Sequence, residues 1–113
     1  CELSASVRQL REAGMEALEH GDLVGAEALL RRSVALSEKG GGVETATAHS
    51  VFRLGLALHE AGRSDEAAEE FEKALTLVRN RAGCGSKLYQ NILGHFAAIL
   101  PARAPAWECA AAV

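Results

Sequence analysis

The sequence predicts an all-α fold in which antiparallel pairs of helices stack against one another. One glycine recurs in a similar local context three times, as Gly14, Gly55 and Gly94. The small and apolar residues that follow the first two glycines also recur, with a shift of 41 residues. A fixed period in this range is typical of helical repeats. Because one repeat cannot bury its apolar face alone, the repeats are expected to pack side by side.

Two helices are predicted in the first part of the chain. The first should run from about Ser4 to His20, because apolar residues recur there at helical spacing and Gly21 follows. Asp22 is a favourable N-cap, since its carboxylate can accept the free N–H groups of the next turn. The second helix should therefore begin after Asp22 and end at Lys39, before three consecutive glycines.

Three further helices are predicted over about 43–61, 64–83 and 86–100. Ser64 is expected to be the N-cap of the fourth helix. Pro105 could occupy the first turn of a short sixth helix in the tail. No segment alternates between apolar and polar residues as a half-buried strand does.

Length and charge limit the classes of function. A chain of 113 residues is long enough for one small core. Its net charge is −3 and no basic stripe is present, so we expect no nucleic-acid partner. No apolar run approaches the roughly 18 residues that cross a membrane, so we expect no membrane partner.

The cysteines predict a reducing environment. Cys1, Cys84 and Cys109 are odd in number and irregularly spaced, unlike a disulfide framework. We therefore expect free thiols and a cytoplasmic location. A first residue that is cysteine rather than methionine suggests a fragment or a processed N-terminus.

The residue pattern predicts no catalytic site, no metal and no cofactor. The four histidines form no HExxH pair, and no CxxC pair is present. No phosphate-binding loop can be recognised either. We therefore expect a protein that is not an enzyme. The histidines are His20, His49, His59 and His95.

The repeated pattern resembles the tetratricopeptide repeat, most fully in the second repeat. There the small residues allow two helix backbones to approach, and a large apolar residue fills the wider gap. The first repeat has Ser33 where alanine is usual, and the third shows only its first-helix half, Leu93-Gly94 and Ala97. The matching residues of the second repeat are Leu54-Gly55, Leu58, Gly62, Ala67, Phe71 and Ala74, and those of the first are Ala13-Gly14, Ala17, Gly21, Ala26 and Leu30.

The period of 41 residues exceeds the usual period of about 34. It resembles a longer variant of the repeat, in which both helices are extended at the join between repeats. We therefore expect longer helices around residues 40–42 rather than a long loop. The resemblance implies a right-handed superhelical stack, with repeats over about 4–40 and 43–83 and a partial repeat over about 86–113.

The resemblance also implies a concave face lined by the first helix of each repeat. Of the residues assigned to it, Phe52 is the expected anchor, although it could instead belong to the core. Leu18, Leu56 and Ile99 could likewise pack between helices. The chain departs from the family's clamp for a terminal carboxylate, because Met15 and Arg53 replace asparagines. The expected partner-binding residues are Arg8, Arg11, Met15, His49, Phe52, Arg53, His59, Asn91 and His95.

The resemblance implies a protein–protein interaction module that binds a peptide or an amphipathic helix. Two alternatives stay open. One is a unit of self-assembly, either a homodimer or part of a longer solenoid. The other is a regulatory domain of a larger sensor protein.

Overall fold

The computed structural model describes residues 2–39, 44–82 and 85–103, and this part of the chain is all-helical. It contains no strand, as the sequence predicts. Each helix packs against the next along the chain, and α1 also contacts α3. The all-α prediction of sequentially packed helix pairs is therefore confirmed. The helices are α1 (Glu2–Glu19), α2 (Leu23–Lys39), α3 (Glu44–Glu60), α4 (Ser64–Ala82) and α5 (Lys87–Ile99).

Two of the recurring glycines mark the places where paired helices cross. A Cβ atom added to Gly14 would lie 2.7 Å from Cγ of Leu30 on α2. A Cβ added to Gly55 would lie 2.8 Å from Cε1 of Phe71 on α4. Leu30 and Phe71 each lie 16 residues after the glycine that they contact. Glycine allows a large apolar side chain to pack directly on the helix backbone, which confirms the predicted crossing register.

The tight turn of each helix pair also uses a glycine. Gly21 and Gly62 have φ angles of 81° and 80°, a left-handed conformation that residues with a Cβ rarely adopt. After the first turn, Asp22 accepts a hydrogen bond from the backbone N–H of Gly25 at 3.0 Å. The prediction that Asp22 caps the second helix is confirmed.

The predicted cap of the fourth helix is wrong by one residue. The backbone N–H of Ala67 donates to the carbonyl oxygen of Arg63, so Arg63 holds the N-cap position. Ser64 is already helical, and its hydroxyl contacts Nδ1 of His59 at 3.5 Å. Arg63 instead forms an ion pair with Glu66 in the first turn, at 2.6 Å.

The two repeats join through extended helices and a set of buried hydroxyl groups. α2 continues to Lys39 and α3 begins at Glu44, as the prediction of longer helices requires, whereas residues 40–43 lie outside the described residues. The hydroxyl of Ser33 donates to the carbonyl oxygen of Val7 at 3.0 Å and lies 2.7 Å from Oγ of Ser50. One side chain of α2 thereby links α1 and α3. A second hydroxyl pair, Ser37 with Thr47, lies further along the same interface.

An aromatic cluster fills the core between α3, α4 and α5. The ring of Phe71 lies 5.7 Å from that of Phe52 and 5.2 Å from that of Phe96, between centroids. All three phenylalanines are buried. Tilted pairs at these distances are favourable contacts beyond their buried area. The cluster fixes α5 on the pair formed by α3 and α4.

The third glycine differs from the other two. A Cβ added to Gly94 on α5 would meet nothing within 4 Å among the described residues. Ser86 caps this helix by accepting a hydrogen bond from the backbone N–H of Tyr89 at 3.2 Å. The predicted sixth helix near Pro105 and the three cysteines lie outside the described residues.

Candidate functional site

The strongest candidate site is a cavity where α1 and α3 lie side by side. It has a volume of about 500 Å³ and opens to solvent. Arg53 contributes from α3, and α1 contributes Arg11, Glu12, Met15, Glu16 and Glu19. We call this cavity the α1–α3 groove. Three residues expected on the concave face from the sequence, Arg11, Met15 and Arg53, therefore share one cavity.

Cations crowd one end of the α1–α3 groove. Burial lowers the pKa of Arg11, and repulsion from Arg53 and Arg8 lowers it further, while Glu12 acts in the opposite direction. Like charges that repel each other in one site raise its free energy. An anionic group from a partner would relieve this repulsion.

His49 belongs to the same end of the groove. Burial lowers its pKa, and the nearby charges of Arg11 and Arg53 lower it further. A histidine whose pKa falls below its usual value near 6.5 is neutral at pH 7. His49 therefore adds a hydrogen-bonding group to the cationic end and no positive charge.

The groove arginines differ from several arginines elsewhere on the molecule. Arg63 bonds to Glu27 at 2.6 Å and also to Glu66, and Arg103 reaches Asp65 at 2.8 Å. Within the described ranges, no carboxylate lies within 4 Å of a guanidinium nitrogen of Arg11 or Arg53. Their positive charge remains available to a ligand.

Phe52 is a core residue rather than an exposed anchor. Its side chain is only 2% exposed. The guanidinium carbon of Arg53 lies 5.3 Å from the centre of its ring, and the ring of His95 lies 5.3 Å away on α5. The expectation that Phe52 lines the groove as its contact residue is therefore wrong. Phe52 instead supports two residues that reach the surface.

The predicted residues of α5 line a separate, smaller cavity. This cavity of about 320 Å³ is formed by Gln90, Asn91, Gly94, His95 and Ala98. Asn91 and His95 do lie together, as predicted, but away from the cationic cluster. The expected single face is therefore divided into two cavities, with Phe52 between Arg53 and His95.

His59 lies apart from both cavities. Its side chain contacts Ser64 at the turn between α3 and α4. It follows His49 by ten residues, about 15 Å along the helix axis. Three apolar residues are partly buried and pack against the core, as expected if they lie between helices: Leu18, Leu56 and Ile99.

The sequence analysis missed the acidic residues of the groove. Glu12, Glu16 and Glu19 line it beside the predicted residues of α1. The signal was present, because residues that lie three, four, seven or eight positions apart share one side of a helix. The expected partner-binding residues include cations and apolar residues of this face but none of its carboxylates.

Two negative findings concern the described residues. No group of His, Cys, Asp or Glu side chains among them is placed to hold a metal ion. None of the helices in the described ranges is long and apolar enough to cross a membrane.

Comparison with known proteins supports the repeat assignment. The family model of the tetratricopeptide repeat matches residues 48–81. No curated protein and no solved structure matches the chain. The matched segment covers most of α3 and α4, including the crossing of Gly55 with Phe71. Members of this family generally serve as non-catalytic scaffolds for protein–protein interaction. The hairpin formed by α3 and α4 is therefore similar to a tetratricopeptide repeat.

Proposed function

We propose that the protein is a non-catalytic interaction module whose α1–α3 groove binds a partner segment with acidic and apolar side chains. One observation carries the proposal. Arg11 and Arg53 line the same cavity, yet among the described residues no carboxylate oxygen lies within 4 Å of a guanidinium nitrogen of either. A carboxylate from a partner would remove the repulsion and form charge-assisted hydrogen bonds, to which the guanidinium group is well suited.

The middle of the groove suits an apolar contact. Met15 lies half-buried between the cationic residues and the acidic end of α1. Its thioether side chain is flexible and can adapt to different apolar partners. An amphipathic helix offers both an apolar stripe and charged flanks, which is the form of ligand that a groove between helices binds.

The proposal can be tested with a library of displayed peptides selected on the full chain. We expect the enriched peptides to combine acidic and apolar residues. Binding to the double variant Arg11→Ala/Arg53→Ala should be weaker by about tenfold, because two charge-assisted contacts are lost. Arg32→Ala is the matched control, since Arg32 is an exposed arginine on α2 outside the groove.

Circular dichroism of each variant would establish that its fold is intact. The affinity of the wild-type protein should also fall as the salt concentration rises. The groove proposal is wrong if the selection enriches no peptide. It is equally wrong if the enriched peptides bind the double variant as tightly as the control.

A specific observation favours self-association as a second candidate. Gly94 occupies the same place on α5 as Gly14 and Gly55 on their helices, but the described residues place no side chain on it. A helix of a second copy could pack there, since small residues permit close approach. Analytical ultracentrifugation of the wild type and Gly94→Arg would test this. We expect a concentration-dependent dimer that the variant loses, and a wild type that stays monomeric would exclude it.

A further inference from the structure

We propose that the α1–α3 groove selects a partner helix of one charge polarity. Carboxylates at one end of that helix face Arg11 and Arg53, and cations at its other end face Glu16 and Glu19. The inference rests on the proposed function and adds the chemistry of the partner. It requires a partner that is acidic at one end and basic at the other, rather than acidic throughout.

The charges of the groove are separated along α1. Arg8, Arg11, Met15 and Glu19 fall on one side of the helix, because they are spaced by three or four residues. Arg11 and Glu19 both line the cavity and are eight residues apart, which corresponds to about 12 Å along the axis. The end that holds Arg11, Arg53 and Glu12 therefore has a net positive charge, Met15 lies in the middle, and Glu16 and Glu19 make the other end negative.

The glutamates at the acidic end of the groove are unfavourably placed for the stability of α1. Glu16 and Glu19 lie in its last turn, which contains no basic side chain. The partial negative charge of a helix C-terminus disfavours carboxylates there. No ion pair to either glutamate occurs within the part of the chain that the structure describes. No cation among the described residues pairs with either carboxylate, and cations from a partner would compensate their charge.

A carboxylate also ends the first helix of the second repeat. Glu60 ends α3 at the position that corresponds to Glu19, and it is exposed. His49 corresponds in the same way to Arg8, but its lowered pKa leaves it without a positive charge at pH 7. Because α1 and α3 are first helices of successive repeats, equivalent residues lie at the same end of the stack. Both helices therefore place a carboxylate at the same end, whereas the positive end of the groove depends on the arginines.

The distance between the groove charges sets the charge spacing of a helical partner. In two helices that pack side by side with nearly parallel axes, each residue advances about 1.5 Å along the axis. Charges eight residues apart on α1 therefore face charges about eight residues apart on the partner. An extended segment would cover the same distance in about four residues.

Two synthetic helices of identical composition would test the polarity. In the first, the glutamates occupy one end and the lysines the other, about eight residues apart. In the second, the same residues are interleaved. Both carry a hydrocarbon staple, so that equal helicity can be verified by circular dichroism. We expect the first peptide to bind the full chain about fivefold more tightly at low salt, and we expect salt to reduce the difference.

Charge reversal within the groove provides the specific control. Glu16→Arg/Glu19→Arg should abolish the preference for the first peptide, because the groove then lacks both carboxylates of its negative end. Adding Arg11→Glu/Arg53→Glu should restore the preference, since the groove is again bipolar and the peptide can bind in the opposite direction. Glu72→Arg is the matched control, an exposed glutamate on α4 outside the groove, and should leave the preference unchanged.

Each outcome decides between the two proposals. Equal affinity for the two peptides would overturn the polarity but leave a groove that binds library peptides. The polarity also fails if neither synthetic helix binds while the selected peptides do. Failure of the library selection itself would instead overturn the proposed function. A preference for the first peptide that Glu16→Arg/Glu19→Arg does not alter would place its origin outside the groove.

Discussion

The two helical hairpins of this protein cross in the same way but fill equivalent positions with different chemistry. Gly14 packs on Leu30 in the first hairpin, and Gly55 packs on Phe71 in the second. Three residues beyond these apolar side chains, the first hairpin has Ser33 and the second has Ala74, and both are fully buried. The backbone geometry is thus repeated, while the side chains that stabilise it are not.

The difference shows how a repeat tolerates a polar residue in its core. Ser33 is accommodated because its hydroxyl bonds to the Val7 carbonyl and to Ser50, and a buried polar group that is hydrogen-bonded carries little penalty. The second hairpin depends on aromatic and alanine packing instead. The segment that matches the family model, residues 48–81, is this apolar hairpin.

The largest expected effect comes from removing the side chain at each crossing. Phe71→Ala should lower the free energy of unfolding by about 3–5 kcal/mol, because it opens a cavity beneath Gly55 and beside two aromatic rings. Leu30→Ala should cost less, about 2–3 kcal/mol, since fewer atoms are removed. Chemical denaturation of both variants measures the difference.

Val24→Ala is the control for this comparison, since Val24 is 83% exposed and its truncation should be nearly neutral. Phe52→Ala should be destabilising to a degree similar to Phe71→Ala, as both belong to one cluster. If the Leu30 variant proves the less stable, the first crossing and not the second anchors the fold.

The buried hydroxyls give the next largest effect. Ser33→Ala should destabilise by about 1–3 kcal/mol, because Ser50 is left buried without its partner. The double variant Ser33→Ala/Ser50→Ala should cost less than the sum of the single variants, since removal of both polar groups leaves neither unsatisfied. A double-mutant cycle from denaturation curves tests this, and additive effects would show that the two hydroxyls act independently.

The reverse substitution at the equivalent position sharpens the comparison. Ala74→Ser places a hydroxyl into the apolar hairpin and should also cost about 1–3 kcal/mol. A neutral Ala74→Ser would mean that this position offers a hydrogen-bond acceptor, and that the two hairpins differ less than their side chains suggest.

Substitution of Gly94, which no described side chain covers, should raise the free energy of unfolding rather than lower it. Gly94→Ala should stabilise the protein by about 0.5–1 kcal/mol, because alanine favours the helix and meets nothing within 4 Å. Gly55→Ala should destabilise, since its methyl group would lie 2.8 Å from the ring of Phe71. Thermal melts of both variants measure the contrast, and destabilisation by Gly94→Ala would reveal a side chain that covers α5.

The sequence predicted the repeated parts of the fold better than the site. Glycine is required at a helix crossing by close packing and at a tight turn by a positive φ angle. The predictions for Gly14 and Gly55 at crossings and for Gly21 and Gly62 at turns are therefore correct. The prediction of a cap at Ser64 is wrong because it rests on the general preference for serine at the N-cap, whereas Arg63 holds that position and Ser64 is the first helical residue. Phe52 could not be assigned from periodicity, since its burial depends on how α5 approaches α3.

The smallest expected effect concerns a charged position that only the first hairpin has. Glu27 lies on α2, and the equivalent residue of α4 is the buried Ala68. Partial burial opposes ionisation of Glu27, but hydrogen bonds from Arg31 and Arg63 outweigh it and lower its pKa below the usual value. Glu27 thereby joins the first hairpin to the turn of the second.

A carboxylate with a lowered pKa stabilises the folded state at neutral pH, because the unfolded chain binds its proton more readily. This contribution is complete above the ordinary glutamate pKa of about 4.3 and is lost as the pH falls through the lower, folded value. Glu27→Gln should therefore cost less than about 1 kcal/mol at pH 7, and the difference from wild type should shrink at pH 3. Denaturation at both pH values measures it. A difference that stays constant would show that Glu27 acts through its shape and hydrogen bonds, and not through its charge.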